Sequence, residues 1–295
     1  MRAGILLIAS FTGLAAADWP GMLVSTEWLA GHLGQRELVI LHVGAAADFA
    51  QGHIPGARLV ELTDIAITGG DGLSVEPAPV ERLRETFGRL GVNPDSRIVV
   101  YAGQAPLQAA ARVFFTLDYL GLGGRTGLLD GGLAAWQAEG RPLSREPASA
   151  PAGNFTPRPS SERLVDASWI RLHEAGGSFA LLDARTPEYY SGADARAGLR
   201  AGHIPGARNV PVATLLDAQG KFKSRKELAA ILDAAGARPG APVIVYCHVG
   251  MQASALYFVA RYLGYDARLY DGSFEDWSRR AELPVAATVS LSGGP

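Results

Sequence analysis

The sequence predicts an α/β protein built from two similar domains, each a parallel β-sheet with helices on both faces. Three observations carry that expectation. The chain is 295 residues long, which fits two domains better than one. It repeats itself at about domain length. Inside each repeat, apolar runs of strand length alternate with amphipathic stretches of helix length. Composition agrees, with 48% hydrophobic and 19% charged residues: enough apolar surface for cores, and too few charges for disorder. The 36 glycines and 18 prolines fall largely in turn-like clusters, which excludes a coiled coil or a long helical array. A net charge of −2 gives no global attraction to nucleic acid.

Met1-Arg2 opens with a positive charge, Ala3 to Ala16 is mostly apolar, and Ala15-Ala16-Ala17 precedes Asp18-Trp19-Pro20. This reads as a secretory signal peptide, residues 1–17, cleaved after Ala17, and it places the mature protein outside the cytoplasm, in a bacterial periplasm. The apolar run is shorter than the roughly 20 residues a membrane span needs, and no later run reaches that length. No membrane span is expected after cleavage.

The repeat defines the domains. Gly52-His53-Ile54-Pro55-Gly56-Ala57-Arg58 recurs identically as Gly202-His203-Ile204-Pro205-Gly206-Ala207-Arg208. Leu23-Val24 with Trp28 matches Leu164-Val165 with Trp169, and Leu129-Asp130-Gly131 with Trp136 matches Tyr270-Asp271-Gly272 with Trp277. A repeat this long is a duplicated domain, since solenoid units run roughly 20–50 residues. The domains are therefore 20–143 and 161–287, joined by residues 144–160, a stretch of prolines, alanines and serines expected to be extended and poorly able to pair. In the second domain, Phe179–Leu182 and Pro242–Tyr246 read as buried strands. Ser224-Arg225-Lys226-Glu227 is a capping box opening a helix with Leu228, Ile231, Leu232 and Ala235 on one face. Leu256, Val259, Ala260 and Leu263 mark a second helix, which Gly264 ends.

The chain holds one cysteine, which rules out an intrachain disulfide and any zinc site made of paired thiolates; no metal site is expected. Cys247 directly follows the strand ending at Tyr246 and begins the loop Cys247-His248-Val249-Gly250-Met251-Gln252-Ala253. Ligands of parallel sheets sit at the carboxyl ends of strands. A glycine-containing turn there aims backbone N–H groups inward at a helix N-terminus, a field that favours anions and thiolate over thiol. A protein tyrosine phosphatase needs an arginine six residues beyond such a cysteine to hold the phosphoryl group. That position is Ala253.

These marks together resemble the tandem-domain rhodanese family of thiosulfate and 3-mercaptopyruvate sulfurtransferases: the duplicated Gly-His-Ile-Pro-Gly-Ala segments, Leu182-Asp183-Ala184-Arg185, the Cys247 loop, and Tyr270-Asp271-Gly272-Ser273 with Trp277. The resemblance covers nearly the whole chain after residue 17. It implies a noncatalytic first domain, a catalytic second one, and transfer of sulfane sulfur from thiosulfate through a Cys247 persulfide to cyanide or a thiol. No cofactor beyond that covalent intermediate and no nucleic-acid partner is implied, and the chain is expected to be a monomer. In that reading Cys247 is catalytic. His248, Val249, Gly250, Met251, Gln252, Arg185 and Ser273 bind substrate, and Asp183 and Asp271 are structural. The first half lacks the chemistry: aligning Tyr101 with Tyr246 puts Ala102 opposite Cys247, and His42 and Gly44 stand where Asp183 and Arg185 do. The loop departs from both subfamilies. Thiosulfate enzymes of the family carry basic residues after the cysteine, and mercaptopyruvate enzymes glycine then serine. A further substrate-binding arginine of the family falls at Tyr189. His248, able to charge near neutrality, favours thiosulfate; 3-mercaptopyruvate is the alternative donor. A noncatalytic binding or persulfide-carrier module is the alternative of another class.

Overall fold

Runs such as Leu38–Val43 and Pro242–Tyr246 are apolar at nearly every position, so they need cover on both faces. The computed structural model describes residues 19–149, 151–176 and 179–288; the signal peptide expected over residues 1–17 lies outside them. The first domain begins β1 (Leu23–Val24), α1 (Thr26–His32), β2 (Leu38–Val43), α2 (Ala46–Gln51), β3 (Ala57–Val60) and α3 (Leu62–Ile65). A small antiparallel pair, β4 (Ala66–Ile67) and β5 (Glu76–Pro77), precedes α4 (Val80–Arg89). The domain closes with β6 (Arg97–Ala102), α5 (Leu107–Tyr119), β7 (Thr126–Leu129) and α6 (Gly132–Ala138). Its sheet is parallel, in the order β1-β7-β6-β2-β3.

The second domain repeats this with β8 (Leu164–Val165), α7 (Ala167–His173), β9 (Ala180–Asp183), α8 (Pro187–Ser191), β10 (Arg208–Asn209) and α9 (Arg225–Ala234). Then follow β11 (Pro242–Tyr246), α10 (Met251–Leu263), β12 (Asp266–Tyr270) and α11 (Ser273–Arg279). The parallel order β10-β9-β11-β12-β8 is the first sheet's order read from the other edge. Strand alternation sends neighbouring residues into different cores. Val243 and Val245 join α9 and α10 on one face, and Ile244 and Tyr246 join α7 and α11 on the other. The capping box forms as expected: the Ser224 hydroxyl accepts from the Glu227 amide at 3.3 Å, and the Glu227 carboxylate accepts from the Ser224 amide at 3.0 Å. Gly264 closes α10 with a left-handed φ of 94°.

One core runs through both domains, because α5 packs on α10. Phe114 meets Phe258 edge-on at 4.9 Å, and Phe115 meets Tyr257 at 5.0 Å. Beside them Asp118 of α5 accepts from the Tyr257 hydroxyl at 2.6 Å and from Arg261 at 2.8 Å. The described residues of the connecting stretch 144–160 form no helix or named strand but are not unpaired, which corrects the expectation from its composition. Gly153 and Arg158 donate their amides to Gly88 and Leu120 at 2.8 and 2.9 Å, and Phe155 is buried near Phe87. A single aromatic anchor outweighs the small residues around it. Among the described residues no helix is long and apolar enough to cross a membrane.

Candidate active site

β11 delivers Cys247 to the carboxyl end of the second sheet, and α10 begins four residues later. The turn between them needs Gly250, whose φ is +80° and whose hydrogen faces a crowded wall: a Cβ there would stand 2.7 Å from Asp271 Oδ1. Ser273 fixes the loop. Its Oγ accepts the amides of Cys247 and Gly250 at 3.2 and 3.1 Å and donates to the Tyr270 carbonyl at 2.8 Å. The carbonyls of Cys247 and His248 in turn accept the amides of Phe274 and Glu275, both at 3.0 Å. The start of α11 thus clamps the loop at four points. Ser273 was expected to bind substrate; its oxygen is instead occupied by backbone, and the correction follows from its buried place beneath the turn.

Cys247 is 1% exposed. Three amides lower its pKa, those of Ala253, Val249 and Gln252, as a helix N-terminus should. Burial, the largest effect, outweighs them and pushes the thiol above its ordinary value. The glycine-containing turn had pointed to a net depression, and the residues expected to bind substrate there were His248 to Gln252. Gly250's amide is instead taken by Ser273, and Ala253 joins from the first turn of α10.

Arg185 was expected to reach into the cleft. It is buried at 1% exposure and turned onto Asp183: Nε lies 3.0 Å from both carboxylate oxygens and Nη2 lies 2.6 Å from Oδ2. Nη2 also donates to the Gly202 carbonyl at 2.8 Å, and the guanidinium lies 4.1 Å over the Phe274 ring. An aspartate two residues upstream, equally buried, claims the fork before any ligand can. The correction is to role, not location, since Arg185 and Cys247 still feel one another's charge.

His248 is half-buried, with the edge of Tyr189 at 4.6 Å. Burial first and the Arg185 charge next hold its pKa down at about 4, so the ring is neutral at pH 7 and the expected titration near neutrality is corrected. Val249, Met251 and Gln252 complete a half-buried rim. The exposed Arg196, whose charge also acts on His248, lies on the segment between α8 and β10. Sequence reading did not single it out. Asp271 is buried and forms an ion pair with Arg112 of the first domain. Nothing local in sequence joins two residues so far apart. Among the described residues, no cluster of three or more histidine, cysteine or acidic side chains is placed to hold a metal.

A buried thiol at a strand end, faced by amides of the following helix and standing on an aspartate–arginine pair, defines a thiol-based group-transfer protein of the two-domain α/β class. The rhodanese-like domain profile matches residues 25–139 and 166–280, and the chain belongs to the rhodanese family. It is 32% identical over 265 residues to a thiosulfate sulfurtransferase of Azotobacter vinelandii, covering 90% of this chain and 96% of that one. It is 31% identical to the 3-mercaptopyruvate sulfurtransferase of Escherichia coli K12 (89% and 96% covered), and 33% identical to the sulfur carrier protein TtuD of Thermus thermophilus (90% and 97% covered). Among solved structures, the 3-mercaptopyruvate sulfurtransferase SseA of Escherichia coli superposes with a TM-score of 0.75 at 29% identity, over 85% of this chain and 98% of that one.

Proposed function

We propose that this chain moves the sulfane sulfur of thiosulfate to cyanide or a small thiol through a persulfide on Cys247. It is a sulfurtransferase by its family and its relatives; donor, acceptor and intermediate are our reading. The observation that carries it is the position of Cys247 at the end of β11 beneath the amides of Val249, Gln252 and Ala253. The thiol gives its proton to solvent, and the thiolate attacks the outer sulfur of thiosulfate. The sulfur–sulfur bond of the donor breaks, its electron pair leaving with sulfite. The acceptor then attacks the outer sulfur of the persulfide, and the Cys247 thiolate is returned. Amides that offset burial of a thiolate also offset the charge of a persulfide in the same place. Arg185 supplies fixed positive charge below the loop without contacting the donor, and Arg196 supplies exposed positive charge at its rim.

A neutral His248 removes one reason to prefer a dianionic donor. On that observation 3-mercaptopyruvate stands as a second donor, with pyruvate as the product. The similarity to a sulfur carrier protein keeps a carrier role as a third reading. One preparation separates them. Thiosulfate should add about 32 Da, one sulfur atom, to the intact chain, and Cys247→Ser should abolish the adduct. Sulfite release faster than pyruvate release supports thiosulfate, whereas an adduct that cyanide and small thiols fail to discharge supports a carrier. No adduct from either donor overturns the proposal. Export to a bacterial periplasm with cleavage after Ala17 belongs to the same reading, and the N-terminal residue of the secreted protein tests it.

A further inference from the structure

The Cys247 loop rests on two supports, one in each domain. Ser273 holds it from below. The second support is Arg112, which stands on α5 of the domain that has no thiol and is wholly buried. Its guanidinium forks onto Asp271, Nη1 to Oδ1 and Nη2 to Oδ2, the latter at 3.0 Å. Nη2 also donates to the Val75 carbonyl at 2.5 Å. Val75 has a φ of +64°, which a β-branched residue adopts only when its surroundings impose it.

Gly250 leans directly on this pair. A Cβ at that position would stand 2.7 Å from Asp271 Oδ1 and 2.9 Å from Arg112 Nη1. Gly250 is the pivot from which the loop enters α10, and the amides that act on the sulfur lie on either side of it. Next to the pair, on the β4–β5 segment, Glu76 faces Asp271, with Asp71 and Asp276 in range; burial first, then Asp271, raises its pKa to about 7. Arg112 is the cation that faces Asp271 in this acidic surrounding. The same first-domain segment grips α11, where Ser74 donates its amide to Glu275 at 2.9 Å.

We propose that Arg112 is a positioning residue for sulfur transfer: through its fork on Asp271, the domain without a thiol sets the backbone around the thiol of the other. The proposal rests on Cys247 being the nucleophile. Arg112→Gln and Arg112→Lys in the full chain test it. Asp118→Asn serves as the control, since it breaks another buried interdomain pair that touches no residue of the loop. Two readouts are needed besides the melting temperature: the rate of persulfide formation at saturating and limiting thiosulfate, and the pH midpoint of Cys247 alkylation by iodoacetamide.

Arg112→Gln is expected to slow persulfide formation at saturating thiosulfate by about 10- to 100-fold, with a much smaller change in half-saturating concentration, because a small displacement of the loop acts on the chemical step. Its alkylation midpoint should rise relative to the wild type as Asp271 and Glu76 lose their counter-charge. Arg112→Lys keeps the charge without the planar fork, so the midpoint should return toward wild type while the slow step persists. If Arg112→Gln does not fold, Arg112→Lys alone decides. Full rescue by lysine, or equal slowing in Asp118→Asn, would overturn the proposal. Should the wild type form no persulfide at all, the functional reading falls, and the alkylation midpoints still judge Arg112.

Discussion

The carboxyl ends of β6 and β11 are built to one plan. Tyr101 pairs with His42 across β6 and β2, and Tyr246 pairs with Asp183 across β11 and β9. Each tyrosine hydroxyl accepts the amide of the isoleucine in the repeated segment, Ile54 at 3.0 Å and Ile204 at 3.1 Å. His53 and His203 stack on Phe49 and Tyr190 at 3.7 and 3.8 Å. Trp136 and Trp277 each donate to a proline carbonyl, at 2.8 and 2.7 Å. Against that shared frame the difference is confined to a few positions. The first half has Ala102 for Cys247, and His42 with Gly44 for Asp183 with Arg185. Its helix is entered through Pro106, which has no amide to give. The His42 ring occupies the space beneath the loop, since a Cβ on Gly103 would run into it. A buried neutral ring seals one strand end, and a buried ion pair underlies the other. The scaffold is therefore not what distinguishes the two halves; the thiol and the charge beneath its loop are.

The largest expected effect breaks that comparison outright. Cys247→Ala should remove sulfite release from thiosulfate entirely, and adding Ala102→Cys should restore none. The grafted thiol would sit beside a neutral imidazole, with no aspartate–arginine pair beneath it. Measurable turnover in the double variant would show that the frame alone suffices. Next in size is Asp183→Asn. It removes the counter-charge and leaves the buried Arg185 guanidinium only neutral acceptors, the Gly202 carbonyl and the new amide oxygen, and breaking a buried pair in this way costs about 3–5 kcal/mol. Urea unfolding should show that loss. A change below about 1 kcal/mol would mean that Arg185 reaches water or another partner, and that the ion pair does not define this half.

How far these features can be read without coordinates depends on how local their causes are. The repeat, the β11 and α10 boundaries, the Ser224 cap and the Gly264 stop are written in residues a few positions apart, and the structure follows them. β9 starts one residue later than the apolar run indicated and takes in Asp183, because Arg208–Asn209 pairs beside it. The place of Cys247 was readable for the same reason, being a strand end. Its electrostatic balance was not, since burial depends on everything packed around the loop. Arg185 shows the limit most clearly. A side chain at a strand end can turn outward or back, and the choice fell to an aspartate two residues away. Arg112 lies beyond any local rule: its partner belongs to the other domain, and the loop it supports is reached through a glycine with no side chain to mark the contact.

The smallest effect sharpens the comparison through pH. His42 is fully buried, with Nδ1 3.0 Å from the Tyr101 hydroxyl and Nε2 without a partner. Burial first, then the nearby His53, lowers its pKa from 6.5 to about 4. The folded protein therefore binds fewer protons at this site than the unfolded chain between those values. The stability His42 contributes is complete above pH 6.5 and is lost as pH falls toward 4. Its full size is at most about 3 kcal/mol. His42→Gln should flatten the decline in urea midpoint over that window relative to wild type, while differing little in pH dependence above pH 7. His248 has the same lowered value but only a half-buried ring. His248→Gln should flatten the decline less, because water screens a rim residue that the first half's plug never meets. Equal effects from the two substitutions would mean that the imidazole in the first half is no more sealed than the one at the active loop.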